Sequence, residues 1–173
     1  MANLKRDNQP RRLFHYDEAV RAVLPLTSRE KTRSVAFYTL GHLRAREAYA
    51  LALGALNDPK ETVRLRAAQA LGRIGDRRAT SKLIVALDDE MWDVRYAAED
   101  ALVAFGKPSI GPLRKAFAKA EPRARAHIIE ALARLGDDRA LTWARAEYKH
   151  DNPLLRPAIE KQVAEQLAAA SKR

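Results

Sequence analysis

Cysteine is absent from all 173 residues. Its absence excludes a disulfide framework, thiolate metal sites and thiol nucleophiles, and it fits a reducing compartment. Aromatic residues make up only 6% of the chain, while alanine and leucine abound, a balance that favours helix over strand. No stretch approaches the ~18 apolar residues of a membrane span. The opening MANLKRDNQPRRLFHYDEAV lacks the apolar centre of a secretory signal and carries acids foreign to a transit peptide. A cytoplasmic protein without a membrane partner is expected. Chemical motifs are equally sparse. His15, His42, His127 and His150 show no metal-ligand spacing such as H-E-x-x-H, and neither a glycine-rich phosphate loop nor a G-x-S-x-G elbow occurs. No catalytic residue, metal or cofactor is expected, and His127 is the one candidate for acid–base work.

What the chain does contain is a repeat. Residues 63–76 read VRLRAAQALGRIGD. A shift of 31 residues brings Val94, Arg95, Ala98, Ala101, Leu102, Phe105 and Gly106 onto Val63, Arg64, Ala67, Ala70, Leu71, Ile74 and Gly75. Weaker copies precede it (Arg33, Ala36, Leu40, Gly41, Leu43) and follow it (Arg125, Ile128, Ala131, Leu132, Leu135, Gly136, then Arg156, Ile159, Val163). A fixed period of this size is the signature of a solenoid.

Within the prototype, Val63, Ala67, Ala70, Leu71 and Ile74 recur at spacings of three and four and form one apolar helical stripe. Ala68, Gly72 and Gly75 make the flank small, so a neighbouring pair can stack closely. Each pair leaves a face that only another pair covers, so a lone pair should not fold and five could. Punctuation completes the pattern. Asp17 is expected to cap the first helix, which Pro25 closes. Thr27 and Glu30 form a capping box for a second helix running to about Leu43. Asp58-Pro59 starts another, and Gly75 is its left-handed stop. The expected fold is an all-α, right-handed solenoid of about five antiparallel helix pairs. A basic arm covers residues 1–12, and the repeats fall near 13–44, 45–75, 76–106, 107–136 and 137–170. Phe14 and Tyr16 are expected to fold back over the first repeat, and Trp143 to serve local packing.

Arg33, Arg64, Arg95, Arg125 and Arg156 hold one repeat position. They read as a structural ladder in which each guanidinium pairs with an acid of the preceding turn and meets helix-end carbonyls. Those acids are Asp58, Asp89, Glu121 and Asp151. The alternative is a basic stripe for phosphates. The chain carries 32 Lys and Arg against 22 Asp and Glu, an excess that attracts polyanions and also serves solubility.

The pattern D-P-x-x-x-V-R-x-x-A-A-x-A-L-G-x-I-G-D, with the Ala- and Leu-rich helix after it, resembles the HEAT-like repeat, in particular the short form of phycobilisome lyase-type proteins. Residues 58–87 match it closely, and the likeness extends over roughly 15–170. The resemblance implies a stack of helix pairs used mostly as a binding scaffold. A minority of such proteins attach or detach bilins, and a distant group excises alkylated bases. Fold alone does not choose among these.

In such a stack the second helices line the concave face. The free positions there are Thr62, Arg66, Gln69 and Arg73 in the prototype, with Lys31, Val35, Tyr38 and His42 before it. After it come Asp93, Ala97, Asp100 and Ala104, then Arg123, His127, Glu130 and Arg134, then Leu154, Ala158, Lys161 and Glu165. Mixed charge tilts the reading toward a protein or peptide partner. Trp92 and Tyr96 lie one turn apart and, with Tyr38, make an aromatic hot-spot candidate. The candidate partner surface is Tyr38, Arg66, Gln69, Arg73, Trp92, Tyr96, Asp100, His127 and Arg134. Nucleic acid gripped by the arm and by Arg66, Arg73, Arg123 and Arg134 is the runner-up. The oligomeric state expected is monomer or homodimer through the stack ends.

Overall fold

The computed structural model describes residues 12–147 and 156–172. Ten α-helices and no strand occur among the described residues. Helix α1 is Arg12–Val23 and leads through a 3-10 turn, Leu24–Ser28, to α2, Arg33–His42. Then come α3 Tyr49–Ala55, α4 Glu61–Ile74, α5 Thr80–Ala86 and α6 Trp92–Ala104. The series closes with α7 Ile110–Phe117, α8 Pro122–Arg134, α9 Arg139–Glu147 and α10 Arg156–Ala170. Helices α2, α4, α6, α8 and α10 pack side by side in chain order, and α3, α5, α7 and α9 form a second layer behind them. The chain is an all-α solenoid. Its core is the stripe read from the prototype: Val63, Ala67, Ala70, Leu71 and Ile74 are all buried.

Three local expectations change. Asp17 lies inside α1, because the helix already runs from Arg12. Residues 1–11, most of the arm, lie outside the described residues. The Thr27–Glu30 capping box does not form. Thr27 instead donates its hydroxyl to the Leu24 carbonyl (2.7 Å) in the turn that Pro25 begins. Glu30 pairs with Lys60 (2.7 Å) and α2 starts only at Arg33. Gly75 does not serve close packing, since a Cβ there would meet nothing within 4 Å; it sits at φ 78° and returns its N–H to the Leu71 carbonyl. Close approach falls to Gly72, whose added Cβ would lie 2.9 Å from the Ala101 Cβ, and to Gly41, at 2.8 Å from the Ala70 Cα. Tyr16 does cover the first repeat, packing near Val20 and Leu40 and bonding Glu47 (3.3 Å); the Phe14 side chain lies outside the described residues.

The arginine position is a ladder with a different rung. Arg64 Nη1 donates to the Asp58 carbonyl (2.8 Å), as expected of a helix-end contact. Its carboxylate, however, is Asp89 of the following repeat, held through Nε at 2.7 Å and Nη2 at 2.9 Å, and not Asp58. Arg33 reaches Asp58 at 2.9 Å in the same way. Arg64 therefore ties its own turn to the next one, which is how a repeat of marginal stability is locked to its neighbour. Arg125 bonds the Ala120 carbonyl (2.8 Å) and Glu147 (3.2 Å), not Glu121. The residue that would complete Arg95's rung, 25 positions on by analogy with Arg33 and Arg64, is Ala120, and Arg95 turns elsewhere. The Arg156 side chain and Asp151 lie outside the described residues.

Candidate functional site

The second-helix face carries two clusters of the expected residues. On α2 and α4, the Tyr38 ring lies 4.4 Å from His42 at a 58° tilt, with the Arg66 and Arg73 guanidinium carbons 4.9 and 5.8 Å from its ring centre. Arg66 also bonds Gln69 (2.9 Å). On α6 and α8, exposed Trp92 lies 4.6 Å from Tyr96, whose ring meets His127 edge-on at 5.8 Å. Trp143 is packed, as expected, stacked on Phe117 at 4.1 Å. Tyr38 thus belongs with the basic cluster and the other two aromatics with the second.

Beneath Trp92 and Tyr96 lies a charged network that repeat reading did not reveal. Glu99 on α6 is fully buried. Its Oε2 faces His127 Nδ1 at 2.8 Å, and its Oε1 accepts from Arg134 Nη1 at 2.8 Å. Arg134 also holds Asp100 at 2.7 Å. Arg95, the arginine without a carboxylate rung, donates Nε–H to His127 Nε2 at 3.3 Å while its Nη1 bonds the Asp89 and Glu90 carbonyls. An acceptor at Nε2 fixes the ring with its proton on Nδ1, directed to Glu99. Four side chains from two helices are thus satisfied by one another, which keeps a buried carboxylate affordable in a small-residue core.

Three face positions differ here from their expected environment. His127 is buried, not open on the groove, and both its nitrogens are engaged, so it offers no acid–base group to a ligand. Arg134 is committed to Glu99 and Asp100. Ala97, read as a free position, is also buried. The signal for Glu99 was present: it occupies the repeat position of Phe37, Ala68 and Ile129, all core residues. An acid at an apolar repeat position requires buried partners.

The network shapes its surroundings. Burial and the Glu99 charge raise the Glu130 carboxyl above its ordinary value, opposed by a bond from Gln166 (3.4 Å). The Glu130 charge, then burial and Glu99, push the Tyr96 phenol up. Burial acts to lower the Arg134 value, but its bonds to Glu99 and Asp100 prevail and hold it above the usual one. Glu99, His127 and Glu130 place one ligand atom each within 4.8 Å of one another, a set that local spacing could not foretell. A cation there would have to displace Arg134 from Glu99 and turn His127 over, against two nearby guanidinium charges. The donor set suits the existing ion pairs better than a metal.

Between α4 and α6 runs a cleft of about 630 Å³ lined by Arg44, Arg46, Gln69, Arg73 and Asp100. A shallower one of about 480 Å³ crosses α6, α8 and α10 past Tyr96, Asp100, Glu130 and Arg134. The cleft at the α2–α4 end is therefore lined mainly by basic residues, and the second one by acids together with Arg134. Among the described residues no helix is long and apolar enough to cross a membrane. A family model described as HEAT repeats matches residues 18–103 and again 80–168. No curated protein matches the chain.

Proposed function

The chain belongs to the HEAT-repeat family, and on that premise we propose that it is a non-enzymatic scaffold gripping a protein or peptide on its second-helix face. The observation that carries this is the seating of Trp92. It stays 57% exposed, yet it rests on Tyr96, which rests on His127 within a rigid ion network. A large aromatic held open on an ordered base loses little entropy on binding, which is the physical character of a hot spot. Enzymatic alternatives, bilin lyase-like or base-excising, need a reactive group open to the groove, and His127 and Glu99 are closed from it. Of the four arginines suited to a nucleic-acid backbone, Arg123 is paired with Asp88 (2.9 Å) and Arg134 with two acids. Those two guanidinium groups are already occupied, which weakens the case for a phosphate backbone there.

The test is affinity capture from the source cell with the whole protein as bait, read by mass spectrometry. Trp92→Ala with Tyr96→Ala should remove the captured partner while the helical circular dichroism is unchanged. Capture that survives the pair of substitutions places the contact surface elsewhere.

A further inference from the structure

Arg44 holds the repeat position that Gly75, Gly106 and Gly136 hold in the next three repeats. Those glycines sit at φ 78°, 78° and 79°, and Arg44 adopts the same left-handed backbone at φ 52°. It is the only non-glycine residue to do so among the described residues. An L-residue there is strained, and glycine would relieve it. No side-chain hydrogen bond or ion pair of Arg44 offsets that strain within the described chain. What the position gains is a guanidinium at the mouth of the α4–α6 cleft.

Two further observations converge on the same cleft. Arg73 lines the cleft, and its buried Nη1 has no hydrogen-bond partner. Arg46 lines the cleft too, exposed like Arg44. Among the described residues none of Arg44, Arg46 and Arg73 makes an ion pair, whereas Arg33, Arg64, Arg78, Arg114, Arg123, Arg125 and Arg134 all do. The one carboxylate in the lining, Asp100, is already held by Arg134.

We propose that Arg44, Arg46 and Arg73 form a receptor for the carboxylates of a short acidic peptide segment. Guanidinium forks match carboxylate geometry and form the stronger class of hydrogen bond. The occupant is a peptide and not a nucleic-acid backbone because the carboxylate of Asp100 bounds the cleft at α6 and Glu130 lines the next cleft beyond it. A segment of a few acids fits the basic end, and a long polyanion does not. This rests on the scaffold reading and names the chemistry of its partner.

The probe is labelled hexaglutamate, read by fluorescence anisotropy at low salt, with a short DNA duplex as competitor. Wild-type protein should bind it with salt-sensitive affinity. Arg44→Gly should weaken binding about tenfold, as loss of one charge-assisted contact implies, and at the same time raise the melting temperature. Arg73→Gln should weaken binding similarly. Lys119→Gln, an equal loss of charge outside the cleft, should leave it unchanged. Equal weakening in Lys119→Gln, unaltered affinity in both arginine variants, absence of hexaglutamate binding, or tighter binding of duplex through the same arginines each overturns the assignment. Absent hexaglutamate binding while Trp92→Ala/Tyr96→Ala still abolishes capture removes the acidic segment alone. Capture surviving that pair removes the scaffold face and leaves the hexaglutamate result to stand by itself.

Discussion

Replacing Glu99 by alanine measures how strongly the buried network holds α6 to α8. The carboxylate has no solvent exposure and makes two contacts of 2.8 Å, to His127 and Arg134. Its removal leaves the His127 Nδ1–H buried without an acceptor, a penalty of about 1–3 kcal/mol. Arg134 suffers less, because its side chain is 30% exposed and keeps Asp100. The missing side-chain atoms leave a cavity as well. Together these place the loss near the 3–5 kcal/mol typical of breaking a buried pair on one side, against a few tenths gained from alanine's helix propensity. For a chain of this size each kcal/mol moves the melting temperature by about 2–4 °C, so a fall on the order of 10 °C is expected. Urea titration followed at the helical circular dichroism band gives the free energy, and amide exchange should show the loss concentrated in α6 and α8. The combined variant Glu99→Ile with His127→Ala, which adopts the residues other repeats use at those positions, should recover much of the loss, since apolar isosteres often replace buried ion pairs without cost. A Glu99→Ala loss below about 1 kcal/mol would refute the desolvated network and the rigid base assigned to Trp92 and Tyr96.

Gly72→Ala should destabilise by about 1–2 kcal/mol. The new Cβ at 2.9 Å from the Ala101 Cβ and 3.0 Å from its Cα meets a neighbouring backbone that cannot yield, which outweighs the ~1 kcal/mol of helix propensity gained. Gly54→Ala, with nothing within 4 Å, should be neutral or stabilising in the same urea titration, and the reverse order would contradict the stacking geometry. Glu130 predicts a pH dependence. Its folded-state value is raised above 4.5 by burial and by Glu99, so the folded state keeps a proton the unfolded chain has released. Stability from this group is full below 4.5 and is lost as pH rises through the raised value. Glu130→Gln should therefore be the more stable form at neutral pH, with the difference shrinking toward pH 4; no convergence between the two unfolding curves would count against it.

The helix pairs, their turns and their apolar stripe were legible because each arises within a single repeat. Val63, Ala67 and Leu71 align by the helical period alone, and Gly75 ends α4 by its own backbone freedom. Errors gathered where two local signals competed. Thr27 had a choice between a cap and a carbonyl in its own turn, and Pro25 settled it by bending the chain into a 3-10 turn. Of the candidate site, Trp92 with Tyr96 and Tyr38 with Arg66 and Arg73 were visible as face positions. Arg44 and Arg46 were not, since both lie beyond α2, where the helical period no longer assigns a face.

From residue order alone came the solenoid, the recurrence of arginine and the apolar stripe of each helix, because all three are properties of one helix and its neighbour in the chain. Tertiary structure alone decided that Arg64 crosses to Asp89 and that His127 lies buried between Glu99 and Arg95. Those outcomes depend on the distance between stacked repeats, and a period along the chain carries no information about that distance.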